Sequence, residues 1–432
     1  MKSTNVVLKK VNSILFPPHS TFTRIPTMRT DLLHLPPTVQ QETNKISYLD
    51  GIRGLAALLV FFHHFFLVFY GAYYNWDPAY THLNGWDIKY GKSAFSVFTN
   101  GQYCVCIFFV LSGFVLSHKY FKANHISTLI SGAQRRFVRL YIPVAATLIL
   151  SYLLMKAHLY RNVPVSILTH SEWWFGGMWT FLHATQNLWN CLWYDTMFRT
   201  NASFDTTLWT MPIEFYNSLI VFGFLALTHK VRHRFRLLLV MLLFCFLTDN
   251  QFLAAFIMGI AINYIEIGKT RLKPATTVWL PILLLAGGLI LGSYPSAGSP
   301  KSTLFAFVTP PMESYFAIWA HVVGAMFVIV AFVLSPRLQH FISMRFFRFL
   351  GYISFSLYLL HPLVMGTFSS FLFLGIHNLM SYGQAVAIVW VATGLVCFLV
   401  SWLMTKYIDG PGVQLSKYIY AKYIKSPALQ AE

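Results

Sequence analysis

Charge is what this chain has least of. Its 432 residues include 14 Asp/Glu and 32 Lys/Arg, so 11% of positions are charged, against about 25% in an ordinary soluble domain. So little charge cannot cover a water-soluble globule. Cysteine is sparse as well: Cys104, Cys106, Cys191, Cys245 and Cys397 form no C-x-x-C pair and no ladder of spacings, which argues against a zinc site and a disulfide framework. A bridge from Cys104 or Cys106 to Cys191 stays open if all three face an oxidising lumen. No metal is expected. What fills the chain is apolar, with 56% hydrophobic residues, 17% aromatic residues and a mean hydropathy of +0.55. One core cannot hide that much apolar surface, so an integral membrane protein of many spans is expected. The net charge of +18 would suit nucleic acid, but the basic residues fall as short clusters between apolar runs. They report topology, and no nucleic-acid partner is expected.

Residues 1–45 mix Lys and Arg with Pro17, Pro18, Pro36 and Pro37 and read as a largely disordered cytosolic tail rather than a signal peptide. Ten apolar segments follow, at 52–70, 102–118, 138–155, 209–227, 236–248, 251–267, 278–292, 315–334, 349–374 and 384–404. The fifth and seventh are shorter than the roughly 17–25 residues a span needs. With the N-terminus cytosolic, 26 of the 32 basic residues fall on inner segments, as the positive-inside rule requires. The expected fold is therefore all-α: a polytopic membrane helical bundle of about ten transmembrane helices with both termini cytosolic. Its bundle occupies 46–412, and 413–432 form a cytosolic tail. The outer segments 71–101 and 156–208 are long and rich in Trp. Asn201-Ala202-Ser203 is a glycosylation acceptor on the predicted lumenal side.

Ionisable residues inside spans are costly, and each is a functional candidate. The inventory is Arg53, His63, His64, Glu214, His321 and His361, with His118 at an inner end. Arg53 and His64 are eleven residues apart, about 1,100° of helical rotation and about 16 Å of rise, so they share one face. His63 points about 100° away. A packed histidine bonded to a carbonyl is the plain alternative for His64. Asp50 is placed to cap the first helix, and Gly51 and Gly54 allow close backbone approach. Glu214 is either an interfacial acid or the carboxylate that holds an imidazole in one tautomer. Tyr358 and His361 face the same way, and Pro362 frees a carbonyl that His361 can cap. Arg136 and Arg139 project from one side of a helix start, either as a positive-inside anchor or as a grip on a polyphosphate.

Five segments together carry a resemblance. Tyr48-Leu49-Asp50-Gly51-Ile52-Arg53-Gly54-Leu55-Ala56-Ala57 with His64, Phe108-Phe109-Val110-Leu111-Ser112-Gly113-Phe114, Arg136-Phe137-Val138-Arg139-Leu140-Tyr141, Leu208-Trp209-Thr210 with Glu214, and Phe355-Ser356-Leu357-Tyr358-Leu359-Leu360-His361-Pro362 resemble the acyltransferase family 3 membrane proteins. The resemblance runs from about residue 46 to 412, ending at Ile408-Asp409-Gly410-Pro411, where the family usually has Glu in place of Asp409. The resemblance is to the stand-alone members, in which no second catalytic-type domain is expected after the bundle. The resemblance implies transfer of an acyl group, commonly acetyl, from a cytosolic coenzyme A thioester to an acceptor hydroxyl. Arg53 and His64 match the family's arginine, ten residues, histidine signature, and Arg136 and Arg139 its cytosolic arginine pair.

On that reading acetyl-CoA or another acyl-CoA is the co-substrate, its phosphates on Arg136 and Arg139 and its arm passing Arg53. His64, oriented by Glu214, takes the acceptor's proton. Ser112, Tyr358 or a backbone N–H stabilises the oxyanion, and His361 lies with them in the substrate site. A route through acetyl-imidazole is also open. The acceptor is expected to be a hydroxylated small molecule, a terpenoid, sterol, polyketide or sugar, and the location a eukaryotic endomembrane. The rival class is a proton-coupled transporter using Arg53, His64, Glu214 and His361 as a relay, although no paired broken helices in matching halves are evident.

Overall fold

The computed structural model describes residues 37–181, 184–268, 274–308 and 313–424. Residues 1–36 of the expected tail, and the basic cluster Lys269, Arg271 and Lys273, lie outside the described residues. The chain separates into two units, Met1–Asn44 and Lys45–Glu432, and the second holds the bundle.

Long apolar runs build ten principal helices, all of them within that unit except the first residues of the first helix. They are α1 (Pro37–Phe69), α2 (Gly101–Ala123), α3 (Ile126–Lys156), α4 (Thr210–Leu227), α5 (Arg234–Leu247), α6 (Gln251–Gly268), α7 (Pro274–Gly292), α8 (Glu313–Leu334), α9 (Arg345–Val364) and α10 (Tyr382–Met404). Among the described residues eight helical stretches are long and apolar enough to cross a membrane. The remaining two principal helices, α5 and α7, coincide with the fifth and seventh segments that are short in the sequence. No strand occurs among the described residues. The outward faces are apolar: Leu247 is 74% exposed on α5, Leu283 68% on α7 and Leu395 66% on α10. A soluble protein does not present such faces singly on helix after helix, whereas a lipid-facing bundle must.

Three boundaries depart from the sequence reading. Asp50 lies inside α1 rather than at its start, so its carboxylate is not a cap and bonds Arg53 instead, Oδ1 to Nη1 at 3.0 Å. Helix α3 begins twelve residues before its predicted apolar core, carrying the polar stretch from Ser127 to Arg139 as helix. The expected C-terminal tail continues as α11 (Gly410–Ile419) and a further turn, Tyr420–Ile424, with α11 packed on α3.

Glycines let the helices meet backbone to backbone. A Cβ added to Gly54 would collide with the main chain of Leu350 and Gly351, and one added to Gly351 with the carbonyl of Asp50. This contact brings α1 and α9 together at the level of Arg53. Gly113 on α2 and Gly259 on α6 are matched in the same way against Phe256 and Val110. Small residues serve this role in membranes because lipid gives helices no hydrophobic reason to associate, so close van der Waals approach must. Polar links reinforce it: Asn263 of α6 donates to Phe114 O at 3.2 Å and Ser117 Oγ at 2.8 Å, and meets His118 Nδ1 at 3.0 Å. All five cysteines are buried free thiols, so Cys104, Cys106 and Cys191 form no bridge in this structure.

Replacing Gly54 with Val should destabilise the protein by about 1–3 kcal/mol or more, because the backbone it meets cannot turn aside. Thermal unfolding in detergent should show a clear loss for Gly54→Val. Gly394→Val on α10, whose added carbon meets nothing within 4 Å, should change little.

Candidate active site

An inner cavity of about 260 Å³ lies between α1, α2, α3, α4 and α9. Arg53, Ser112, Arg136, Arg139, Glu214 and Tyr358 all line it, with Asp409 at the start of α11. Six of the eight side chains singled out in the sequence for catalysis or binding therefore share one space. His64 and His361 do not line it. They sit beyond a wall that includes Phe108 and Tyr358, whose rings meet at 5.7 Å, with Tyr358 in turn 6.4 Å from His361.

The charges in the cavity are already arranged. Glu214 on α4 pairs with Arg136 on α3, accepts from Ser112 Oγ at 2.7 Å, and is largely withdrawn from solvent. Arg136 also donates through Nε to Ser218 Oγ at 3.2 Å. This corrects two expectations. Glu214 does not orient His64, because a guanidinium from the facing helix holds the carboxylate first; and the charge of Arg136 is offset from within, because a buried cation must be paired. Arg53 is paired with Asp50. Arg139, by contrast, makes no hydrogen bond or ion pair among the described residues and is exposed where it lines the cavity.

The hydroxyls are committed too. Tyr358 OH lies 3.1 Å from Thr207 O and 3.0 Å from Thr210 Oγ1, whose own hydroxyl donates to the same carbonyl at 3.0 Å, so the two hydroxyls share one acceptor. Ser112 gives its proton to Glu214. Neither is a free donor for an oxyanion in this arrangement.

His64 finds its partner across the bundle. Its Nδ1 lies 2.6 Å from His361 Nε2, the two rings within 16° of coplanar. His361 is fully buried and its Nδ1 lies 2.8 Å from Leu357 O, one turn back on α9. A carbonyl can only accept, so His361 Nδ1 carries the proton and its Nε2 is bare. That bare nitrogen accepts from His64 Nδ1–H, which leaves the lone pair on Nε2 of His64. The ring of His64 is partly exposed, and Nε2 makes no hydrogen bond among the described residues. Trp174, in the helical turn Glu172–Gly176 of an outer segment, lies against it at 5.2 Å and 20°.

The other histidines are structural. His63 lies beside His64, the rings 5.2 Å apart, but its Nδ1 is 2.7 Å from Thr99 O and 2.6 Å from Tyr73 OH. His321 is buried against Tyr294 O at 2.9 Å and Asn100 Nδ2 at 3.1 Å.

Two supports escaped the sequence reading. Trp174 is one of several loop tryptophans, and nothing in the sequence marks it. Asp205 did carry a signal, since Asp followed two residues later by Thr is an Asx-turn pattern. Its Oδ1 accepts from Thr207 N and Oγ1, both at 2.8 Å, fixing the carbonyl that holds Tyr358. Its Oδ2 is buried without a hydrogen-bond partner among the described residues.

Comparison with known proteins places these residues in a wider set. A family model described as an acyltransferase domain, Acyl_transf_3, matches residues 46–406. The O-acetyltransferase PaAT-1 of Phomopsis amygdali is 24% identical, over 88% of this chain and 85% of its own. The acyltransferase R4 of a Phoma species is 21% identical, over 90% and 98%. The acyltransferase clz18 of Cochliobolus lunatus is 24% identical, over 84% and 93%. No solved structure matches.

Two outcomes follow from these contacts. Burial lifts the Asp205 carboxyl from 3.8 to about 7, with the Thr207 hydrogen bonds pulling the other way. Between roughly pH 4 and 7 the folded state then holds more protons than the unfolded, so this group lowers stability as pH rises through that window. Asp205→Asn, which keeps an oxygen for Thr207, should flatten the fall in melting temperature across it. Glu214→Ala should cost about 3–5 kcal/mol by leaving Arg136 buried and unpaired, and replacing Arg136 with Met in the same chain should recover much of the melting temperature.

Proposed function

Since the chain belongs to the acyltransferase 3 family, we propose that it moves an acetyl group from cytosolic acetyl-CoA to the hydroxyl of a small-molecule acceptor. His64 acts as the general base. The observation that carries this reading is the hydrogen bond from His64 to His361, because it leaves Nε2 of His64 bare and partly open.

In the proposed step His64 Nε2 takes the acceptor's hydroxyl proton as the oxygen attacks the thioester carbonyl. Collapse of the tetrahedral intermediate breaks the C–S bond, and the imidazolium returns its proton to the departing thiolate. His361 does not touch the reacting atoms. It is a positioning residue, accepting from Nδ1–H throughout and stabilising the imidazolium while it exists. Glu214, Ser112 and Arg136 form a locked network in the cavity wall. Their part is to shape the donor channel and keep its charge balanced, leaving Arg139 as the cation toward which the donor's phosphates are drawn.

The inner cavity ends one helical turn short of His361. The reading therefore requires Phe108 or Tyr358 to swing aside when the acyl arm enters, so that the inner cavity and His64 are joined only when the donor is bound. Trp174 covers His64 from an outer segment, which favours an acceptor that stacks on or displaces an aromatic ring. An apolar polycyclic alcohol suits that surface better than a sugar. The Phomopsis relative is named an O-acetyltransferase, which supports acetyl over longer groups. A eukaryotic endomembrane location agrees with the Asn201-Ala202-Ser203 sequence on an outer segment.

The experiment compares metabolite extracts and coenzyme A release in cells carrying the wild-type chain, His64→Ala, His361→Leu or His361→Gln. Wild-type cells should gain products heavier by one acetyl unit. His64→Ala should lower the rate about 10²-fold or more. His361→Leu should lower kcat with little change in donor KM, and Gln, which offers an oxygen to Nδ1–H, should restore part of it. Undiminished transfer by His64→Ala ends the proposal, and proton-coupled solute uptake without coenzyme A release would support the transporter instead.

A further inference from the structure

Behind the shared wall of Arg136 and Arg139 lies a second cavity of about 830 Å³, against about 260 Å³ for the inner one. It lies at the end of the bundle predicted to be cytosolic, between the last turns of α2, the first turns of α3, and α11. Among the described residues five cations line it and no Asp or Glu does. Arg136 is neutralised by Glu214, which leaves Lys119, Arg135, Arg139 and Lys417. The N-terminal turn of the 31-residue α3 enters the same space, adding its partial positive charge. The hydroxyls of Ser127 and Thr128 in that turn make no hydrogen bond among the described residues, so they are available to an anion. Tyr420 forms part of the wall, with the guanidinium of Arg135 5.8 Å from the centre of its ring.

We propose that this cavity holds the nucleotide end of the donor as a 3′-phosphorylated adenosine. Lys119, Arg135 and Lys417 bind the 3′-phosphate, Tyr420 stacks on the base, and Arg139 takes the diphosphate at the wall between the two cavities. The inference rests on the acyl-CoA reading and goes beyond it, because it makes the protein discriminate a phosphomonoester that takes no part in the chemistry. The arrangement fits the ligand's charge: a phosphate monoester carries about −1.5 to −2 at neutral pH, and cations grouped around a helix N-terminus with free hydroxyls match its oxygens. A narrow arm must then leave this wide chamber for the small cavity, and the two meet where Arg139 lies.

Equilibrium binding to the full chain in phosphatidylcholine nanodiscs tests it, with coenzyme A, 3′-dephospho-coenzyme A and 4′-phosphopantetheine as probes. Wild-type protein should bind dephospho-coenzyme A about tenfold more weakly than coenzyme A, or worse. Lys119→Ala with Lys417→Ala should erase that preference by weakening coenzyme A alone. Tyr420→Ala should weaken both nucleotides equally and leave phosphopantetheine untouched, which a general loss of folding cannot mimic. Equal wild-type affinity for the two nucleotides, or a preference that survives the lysine changes, overturns the site while leaving the donor reading intact. No binding of any of the three removes the donor reading itself. Displacement of coenzyme A on adding phosphatidylserine to the nanodiscs, lost with the same lysines, would instead assign the cavity to lipid headgroups.

Discussion

One imidazole-to-imidazole hydrogen bond governs how the bundle can act. His361 has a single orientation because its Nδ1 is spent on the carbonyl of Leu357, one turn back on α9. That local constraint passes across the bundle to His64 and decides which of its nitrogens keeps a proton. Without it His64 would exchange tautomers freely, and only part of the population would present a lone pair to a hydroxyl. The long path from backbone carbonyl to reactive nitrogen contains no charge. This suits a site within a bilayer, where a carboxylate partner would be costly to desolvate.

The bond depends on how closely α1 and α9 approach. Gly54 and Gly351 allow their backbones to touch, and this contact near Arg53 sets the separation at which His64 and His361 meet further along the same two helices. The same approach narrows the inner cavity, whose carboxylate and arginine from α4 and α3 neutralise each other rather than serve the histidines. Three devices thus keep separate places: a charge-balanced channel, an aromatic wall at Phe108 and Tyr358, and an uncharged histidine pair under Trp174. Arg139 lies where the channel meets the basic chamber beyond it, and with no hydrogen bond or ion pair among the described residues it is left for a ligand.

Much of this was legible in the sequence for plain reasons. Apolar length and positive-inside bias locate ten helices, two of them short, because both follow from the thickness of a bilayer and not from tertiary detail. The 3.6-residue period separates His64 from His63 correctly, since both lie on one uninterrupted helix. Partners across helices were not legible. Glu214 and His361 are each sensible companions for His64 on paper, and the sequence does not say which of α4 and α9 faces α1 at that level. Arg136 lies nearer to Glu214 than any histidine does, so the ion pair formed there. The start of α3 was missed because Ser127 to Arg139 is polar, and that polarity faces a cavity rather than marking a loop. Asp205 shows in the sequence only through its two-residue spacing to Thr207.

The central claim is that His361 holds His64 as the Nδ1–H tautomer with Nε2 free. Nitrogen-15 solid-state NMR of histidine-labelled protein in lipid bilayers reads this directly, with the His64 signals identified by their loss in His64→Gln. The account predicts a protonated Nδ1 and an unprotonated Nε2 for His64 at neutral pH, and loss of that preference in His361→Leu. A His64 protonated at Nε2, or one indifferent to the removal of His361, would contradict it.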